Sequence, residues 1–320
     1  MSFSRLVLPH ELWDVILDYL HLDRPVLRTA ALVCRTWVPT TRFHLFADIV
    51  LSPKCVARAA GLNALLMSPH ATLAPAVRRL ALHGALVPVQ LRNPGGAQHL
   101  TTLIGLVPAL ARLPRVKELE LSDLPLVLLD GLKTVERLTL TGICAGAGLL
   151  RVVQAFPKIA QLTLEEVTAV PYRGGVSGIK TGVHTLTIRG SSLAFLGWLA
   201  LAAPDVIALS IDTLISHELH FLAEYLCFLG ATLQDLELAF FDTDPLDALA
   251  LPRLLTPSTT LKTLRLHFVS AHEVRRFFAF GCQGPWPPAM RLEIAVEHLD
   301  DSLDELFGDW SIDVQVVLCS

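Results

Sequence analysis

The sequence predicts an α/β protein in which a small helical module at the amino end precedes a long solenoid of parallel strands and helices. Three observations support this prediction: short apolar helices within the first 50 residues, a six-residue apolar pattern that recurs nine times after them, and helical periodicity between its copies. We place the boundary after residue 52, which gives a helical module over residues 1–52 and a repeat region over residues 53–320.

The first predicted helix spans residues 9–20 and is apolar almost all round. Its apolar residues fall on two stripes, Leu12, Ile16 and Leu20 on one and Trp13 and Leu17 on the other. A helix with two apolar stripes has to bury both of them. It therefore needs neighbours on more than one side.

The second predicted helix spans residues 25–37, and a third short apolar element follows around Phe43 and Phe46. In the second helix Leu27, Ala30, Cys34 and Trp37 recur at steps of three and four, while Leu32 and Val33 point elsewhere. A unit of about 40 residues buries too little of its own surface to cover so many apolar side chains. We expect the module to present apolar side chains to the helices of a partner.

At this point the module resembles the F-box, in the variant frequent in fungal proteins, over about residues 6 to 50. The resemblance is carried by Leu8, Pro9, Glu11, Leu12, Ile16, Leu20, Leu27, Leu32, Val33, Cys34 and Trp37. It implies that the module binds the Skp adaptor of a cullin-RING ubiquitin ligase while the rest of the chain selects a substrate. The adaptor-binding residues that it implies are Leu8, Pro9, Leu12, Ile16, Leu20, Leu32, Val33, Cys34 and Trp37. The alternative is a helical cap whose leucines and tryptophans fill only its own core.

The repeat region is marked by hexads with apolar residues at the first, fourth and sixth places. Their fourth places are Leu80, Leu119, Leu138, Leu162, Leu186, Leu209, Leu236, Leu264 and Leu292. After a first step of 39 residues the spacing is 19 to 28 residues, near the period of leucine-rich repeats, which the region resembles in a degenerate form. Each hexad ends in the alternation of a half-buried strand, and helical segments at residues 149–156, 193–202, 218–229, 246–255 and 272–280 lie between hexads.

The polar side chains that alternate with the hexad leucines are expected on the outer face of a parallel sheet. We expect substrate contacts there, at Glu118, Glu120, Arg137, Gln161, Arg189, Asp235, Glu237 and Arg265. The alternative at each position is that a polar residue alternates with leucine simply because one face of the sheet is wet.

Composition and charge narrow the class of protein. Apolar residues make up 52% of the chain, but the most hydrophobic window, residues 190–211, contains Pro204 and Asp205 and is too short to span a bilayer. The amino end does not have the pattern of a signal peptide, and the six cysteines show neither zinc-binding spacing nor a disulfide framework. With a net charge of −4 and no basic block, the chain lacks the footprint of a nucleic-acid-binding protein. We expect an intracellular protein with no membrane or nucleic-acid partner.

Three motifs imitate catalytic or cofactor sites. The glycines at 142, 146 and 148 imitate a dinucleotide site, and residues 174–181 imitate a phosphate loop that a predicted strand follows where a helix is needed. His217 and His220 flank Glu218 at a spacing of three, whereas the metalloprotease helix requires four. Cys34 is predicted in an apolar helix, which disfavours a thiolate. We therefore expect no catalytic residue, no metal and no cofactor.

The sequence thus favours a substrate-recognition subunit of a Skp-cullin-F-box (SCF) ubiquitin ligase that bridges the Skp adaptor to an unknown protein substrate. Two competitors stay open. One is a leucine-rich scaffold or interaction protein with no ligase attached, and the other is an enzyme on an α/β fold.

Overall fold

The computed structural model describes residues 9–52, 56–69, 71–84, 105–123, 132–145, 147–169, 182–202, 205–240, 251, 254–256, 258–281, 290–298 and 313–318. The chain forms two compact units, residues 1–124 with 128–135 and residues 125–127 with 136–320. The boundary predicted after residue 52 falls inside the first unit, in the connection between a strand and the next helix. The α/β class with parallel strands is confirmed in both units.

The first unit begins with three helices and continues into a parallel sheet. Its helices are α1 (His10–Tyr19), α2 (Arg24–Val33), α3 (Val38–Phe46) and α4 (Val56–Met67), with further helical residues at 105–110. Its strands are β1 (Asp48–Leu51), β2 (Arg79–His83) and β3 (Glu118–Ser122), and they pair in that order.

The three amino-terminal helices share a small core of their own. Leu17, Leu27 and Ala30 are buried, and Leu20, Trp37 and Leu45 pack against them. Polar contacts add to this packing, because Thr40 donates to Asp14 at 2.6 Å and the imidazole of His44 lies 2.7 Å from Asp18, both between α1 and α3. The Asp23 side chain caps α2 by accepting a hydrogen bond from the Val26 N–H.

The second unit repeats a strand, and a helix follows the strand in four of the described repeats. Its main strands are β4 (Arg137–Thr141), β6 (Gln161–Glu165), β8 (Thr185–Arg189), β9 (Ala208–Leu214), β10 (Asp235–Phe240), β11 (Thr263–Ser270), β12 (Arg291–His298) and β13 (Asp313–Leu318), with the two-residue strands β5 (Cys144–Ala145) and β7 (Thr168–Ala169). Its helices are α5 (Ala147–Ala155), α6 (Leu196–Ala202), α7 (Leu219–Leu229) and α8 (Ala271–Gly281).

The eight main strands lie side by side in chain order, as stacked repeats require. The hexad leucines are in register, so that Leu138, Leu162, Leu186, Leu209 and their counterparts form one ladder. In the described part of the chain, the residues at the first, fourth and sixth places of the hexads are buried. Val183, Leu186 and Ile188 of one hexad illustrate this. Each of the nine predicted hexads contains one of the described strands. The arrangement within this unit fits a solenoid.

Short turns at the ends of several strands place one residue in the left-handed region. These residues are Asp123, Gly142, Glu166 and Gly190, with φ between 52° and 65°. They follow β3, β4, β6 and β8, where the hexads carry no regular asparagine or cysteine. The backbone N–H of Glu166 donates to the Arg189 carbonyl at 2.9 Å, so these turns are tied to the next strand.

None of the helices in the residues that the structure describes has the length and apolar composition needed to cross a bilayer.

Candidate functional site

The helical module leaves a large part of its apolar side chains in solvent. On α1, Leu12, Val15, Ile16 and Tyr19 follow the i, i+3, i+4, i+7 spacing of a single apolar stripe, yet all four are exposed. Leu12 is 47% exposed and Tyr19 is 87% exposed. Such a stripe normally faces a core.

The end of α2 adds to this exposed apolar surface. Leu32 is 88% exposed and Val33 is 65% exposed, and they are the last two residues of α2. We call the side chains of Leu12, Val15, Ile16, Tyr19, Leu32 and Val33 the module surface. Described residues of the first unit leave this surface accessible, so its apolar side chains are available to another polypeptide.

Apart from Cys34, the predicted adaptor-binding residues divide into three groups. Leu12, Ile16, Leu32 and Val33 belong to the module surface, and Pro9 is also exposed, just before α1. Leu20 and Trp37 instead pack against the module's own core, where the rings of Trp37 and Trp13 lie 4.6 Å apart. Leu8 lies outside the described residues.

Cys34 corrects a prediction. The helical periodicity through residues 25–37 predicted one helix, but α2 ends at Val33 and Cys34 is extended, with φ −145° and ψ 137°, before a short 3₁₀ turn at Arg35–Trp37. In that position the thiol accepts or donates a hydrogen bond at 2.9 Å to the Thr36 hydroxyl. This hydrogen bond lowers the pKa of the Cys34 thiol, so the predicted suppression of the thiolate by an apolar helix was wrong.

The outer face of the second unit's sheet carries a polar pit of about 620 Å³. Its floor is made of short side chains on two neighbouring strands, Thr185 and Thr187 on β8 and Ala208 and Ser210 on β9. Longer charged side chains surround this floor: Arg189, Asp212, Asp235, Glu237, Arg265 and Glu293. The pit exists because residues of small volume occupy two adjacent strands between strands with long side chains.

Ion pairs order most of the charged side chains around the pit. Arg189 lies 3.2 Å from Glu165, and Arg265 contacts Glu293 and lies 4.0 Å from Glu237. Asp235 is exposed and has no cation within 4 Å in the described part of the chain. Four carboxylates and two guanidinium groups line the pit, so it carries net negative charge.

The Glu237 carboxylate is held by a side chain on the neighbouring strand. The imidazole of His267 lies 2.7 Å from its Oε1, and this hydrogen bond is the main cause that lowers the pKa of Glu237. The charge of His267, a hydrogen bond from Ser210 and the nearby Arg265 guanidinium lower this pKa further, against the opposing effect of burial. Glu237 therefore stays ionised and fixed in the wall of the pit.

The structure brings four of the eight predicted substrate contacts together at the pit: Arg189, Asp235, Glu237 and Arg265. Arg137 and Gln161 lie at hexad third places on β4 and β6, outside its lining. Glu118 and Glu120 are on β3 of the first unit, where Glu120 forms an ion pair with Arg79 at 2.9 Å. Whether any of these positions binds a substrate stays a prediction.

His267, Glu293 and Asp212 are not among the eight predicted substrate contacts, although the alternation in the sequence places all three on the outer face of the sheet. His267 and Glu293 alternate with buried residues of their strands, which is a signal that the sequence contains. Their contacts join residues about 28 to 30 positions apart, and these depend on the register between strands. Alignment of the hexads makes Glu237, Arg265 and Glu293 neighbours, but it does not show that His267 reaches diagonally to Glu237 instead of contacting its direct partner Ala239.

The motifs that imitate metal or cofactor sites have structural roles where they are described. Glu218 is buried and accepts hydrogen bonds from the Ser192 hydroxyl at 2.7 Å and the Leu193 N–H at 3.2 Å, while the His220 ring contacts the His217 carbonyl. Gly142 forms the left-handed turn after β4. Residues 174–181 lie outside the described residues. Within the described ranges, no group of three or more His, Cys, Asp or Glu side chains is placed to hold a metal ion.

Comparison with known proteins adds no assignment to this geometry. No known protein family matches the chain, and no curated protein matches it.

Proposed function

We propose that the chain is a substrate-recognition subunit of an SCF-type ubiquitin ligase, with the helical module on the Skp adaptor and the sheet of the second unit on a protein substrate. The observation that carries the proposal is the exposed stripe of Leu12, Val15, Ile16 and Tyr19 together with Leu32 and Val33. Association with another protein buries apolar side chains of this kind and so gains free energy.

The polar pit supports the second half of the proposal. Parallel strands about 4.8 Å apart present an extended surface that is large enough for a protein partner. Contacts between the charged side chains around the pit hold these side chains in fixed positions before a partner binds. Preorganised polar groups favour binding because less side-chain entropy is lost on association. In this proposal the chain binds and positions, and other subunits carry out ubiquitin transfer.

Co-purification with the Skp adaptor tests the proposal. Leu32→Glu places a charge on a side chain that is 88% exposed, so the fold should tolerate it. We expect this variant, and Ile16→Glu, to lose adaptor binding while the melting temperature stays within the range of exposed substitutions. Phe228→Glu on α7 is the matched control, since Phe228 is also exposed but lies in the second unit.

The same purification after proteasome inhibition tests the substrate half. Asp235→Arg reverses one charge at the pit and should reduce co-purified substrate while the adaptor is retained. A wild-type chain that binds no adaptor would contradict the ligase assignment. If that chain still bound other proteins, and Asp235→Arg weakened this binding, the scaffold alternative would be favoured.

A further inference from the structure

A second cleft lies in the first unit, between α2, α3, β1 and α4. It has a volume of about 340 Å³, within the range of roughly 300 to 1,000 Å³ typical of ligand clefts. Its apolar wall includes Leu45, Phe46, Ile49, Leu62 and Leu65. None of the nine predicted adaptor-binding residues lines it. We call this cleft the β1 groove.

One wall of the β1 groove is the outer edge of a strand. β1 is the first strand of its sheet and pairs with β2 on one side only in the described part of the chain. The Ala47 carbonyl points toward β2, where it accepts hydrogen bonds from the N–H groups of Arg78 and Arg79. Because alternate residues of a strand direct their polar groups to opposite sides, the backbone groups of Asp48 and Val50 point to the outer edge.

A side chain already binds this edge at one place, which supports the alternation. The Arg24 guanidinium donates to the Asp48 carbonyl at 3.1 Å. Two residues further along β1, Val50 is 45% exposed and lines the groove, and Leu65 of the apolar wall is 50% exposed. The groove therefore joins an open strand edge to exposed aliphatic side chains.

The charged residues of the β1 groove are mostly cationic. Arg24, Arg28 and Arg58 line it and are exposed, against a single acidic residue, Asp48. Within the described residues, no carboxylate lies within 4 Å of the Arg28 or Arg58 guanidinium. Asp48 does not compensate for them fully, since its charge also acts on Arg79, whose pKa is raised chiefly by a hydrogen bond to Glu120 and in part by Asp48.

We propose that the β1 groove binds an extended segment of a partner protein in which aliphatic side chains alternate with carboxylates. Such a segment adds to the open edge of β1 by main-chain hydrogen bonds. Its aliphatic side chains fill the wall formed by Ile49, Leu62 and Leu65, and its carboxylates pair with Arg28 and Arg58. Arginine suits this role because its planar guanidinium binds a carboxylate through two hydrogen bonds.

Fluorescence anisotropy with the full chain and a short labelled peptide of alternating leucine or valine and glutamate tests the proposal. We expect saturable binding that weakens as salt is added. The same peptide with lysine in place of glutamate should bind at least about tenfold more weakly, because it brings like charges to the arginines. Arg58→Glu should weaken the glutamate peptide to a similar extent.

Gly61 offers a variant that blocks the groove without disturbing the fold. Gly61 lies within α4 and lines the groove, and a Cβ there would meet no atom within 4 Å. Gly61→Leu should therefore leave the melting temperature unchanged or raised while it abolishes peptide binding. Gly105→Leu is the matched control, because Gly105 is also helical with open space about its Cβ but lies outside the groove.

Absence of saturable binding of the glutamate peptide would overturn the proposal. Equal binding of the lysine peptide, or unchanged binding by a folded Gly61→Leu chain, would do the same. These results are independent of the adaptor, so failure of the groove and failure of the ligase assignment can be told apart.

Discussion

At the scale of single residues, contacts between strands define the candidate site more than residue types do. The alternation in the hexads placed Glu237 and Arg265 on the outer face of the sheet. Alignment of the hexads also makes Arg265 and Glu293 direct neighbours, but it could not show that His267 contacts Glu237, because that contact is diagonal and depends on the side-chain conformation. Cys34 was wrongly predicted to lie in a helix, because the helical spacing of apolar residues continues beyond Val33, where α2 ends.

The Glu237 carboxylate predicts a specific pH dependence of stability. Its pKa is lowered in the folded protein, chiefly by the hydrogen bond from His267, so the unfolded chain takes up this proton at higher pH. The stabilisation is therefore present above the ordinary glutamate pKa of 4.5 and is lost as the pH falls through the lower folded value. We expect Glu237→Gln to show a smaller drop in melting temperature than the wild type as the pH falls below about 4.5.

Thermal unfolding at a series of pH values measures this effect. Glu224→Gln is a suitable control, because Glu224 is exposed on α7 and forms no hydrogen bond with described residues. If both variants change the fall in melting temperature at low pH equally, the contact between Glu237 and His267 does not stabilise the folded protein in solution, and this prediction is wrong.

At the scale of elements, the hexads identified nine of the eleven described strands that have more than two residues, and they left β1 and β13 unrecognised. β1 fits the pattern, with Phe46, Ile49 and Leu51 at the first, fourth and sixth places, but Phe46 also ends α3 and was assigned to the helical module. β13 places Val314 and Val316 in register with Leu292 and Ile294, while a polar residue, Ser311, stands at its first place. Within the described residues, β13 pairs on one side only, and repeats at the end of a stack are commonly atypical.

The turn after β8 makes a prediction at this scale. Gly190 has φ of 53°, a conformation that costs an L-residue about 1 to 2 kcal/mol. Gly190→Ala should therefore lower the free energy of unfolding by roughly that amount, measured by denaturant unfolding. The nearest atom to a new Cβ is Glu166 Cγ at 3.8 Å, an ordinary contact, so backbone strain and not a clash is the cause.

Gly105→Ala provides the opposite case. The same change at a helical glycine with open space around it should leave stability unchanged or raise it by up to about 1 kcal/mol. Equal destabilisation by both changes would contradict a left-handed turn at Gly190.

At the scale of the whole molecule, the division into compact units differs from the division expected from the sequence. The helical module belongs to the same unit as β1, β2 and β3, because β1 follows α3 directly and pairs with the first hexad strand. The fold class was predictable because period-two and helical apolar patterns recur many times. The partner of the module was not, because an exposed apolar stripe shows that a cover is needed without specifying which protein provides it.

Hydrogen exchange of the full chain, with and without the purified Skp adaptor, tests the central claim most directly. We expect the adaptor to slow amide exchange in peptides that cover α1 and α2, which carry the module surface, and to leave the strands of the second unit unchanged. Leu32→Glu should abolish this protection. Exchange in α1 and α2 that is identical with and without saturating adaptor would contradict the account.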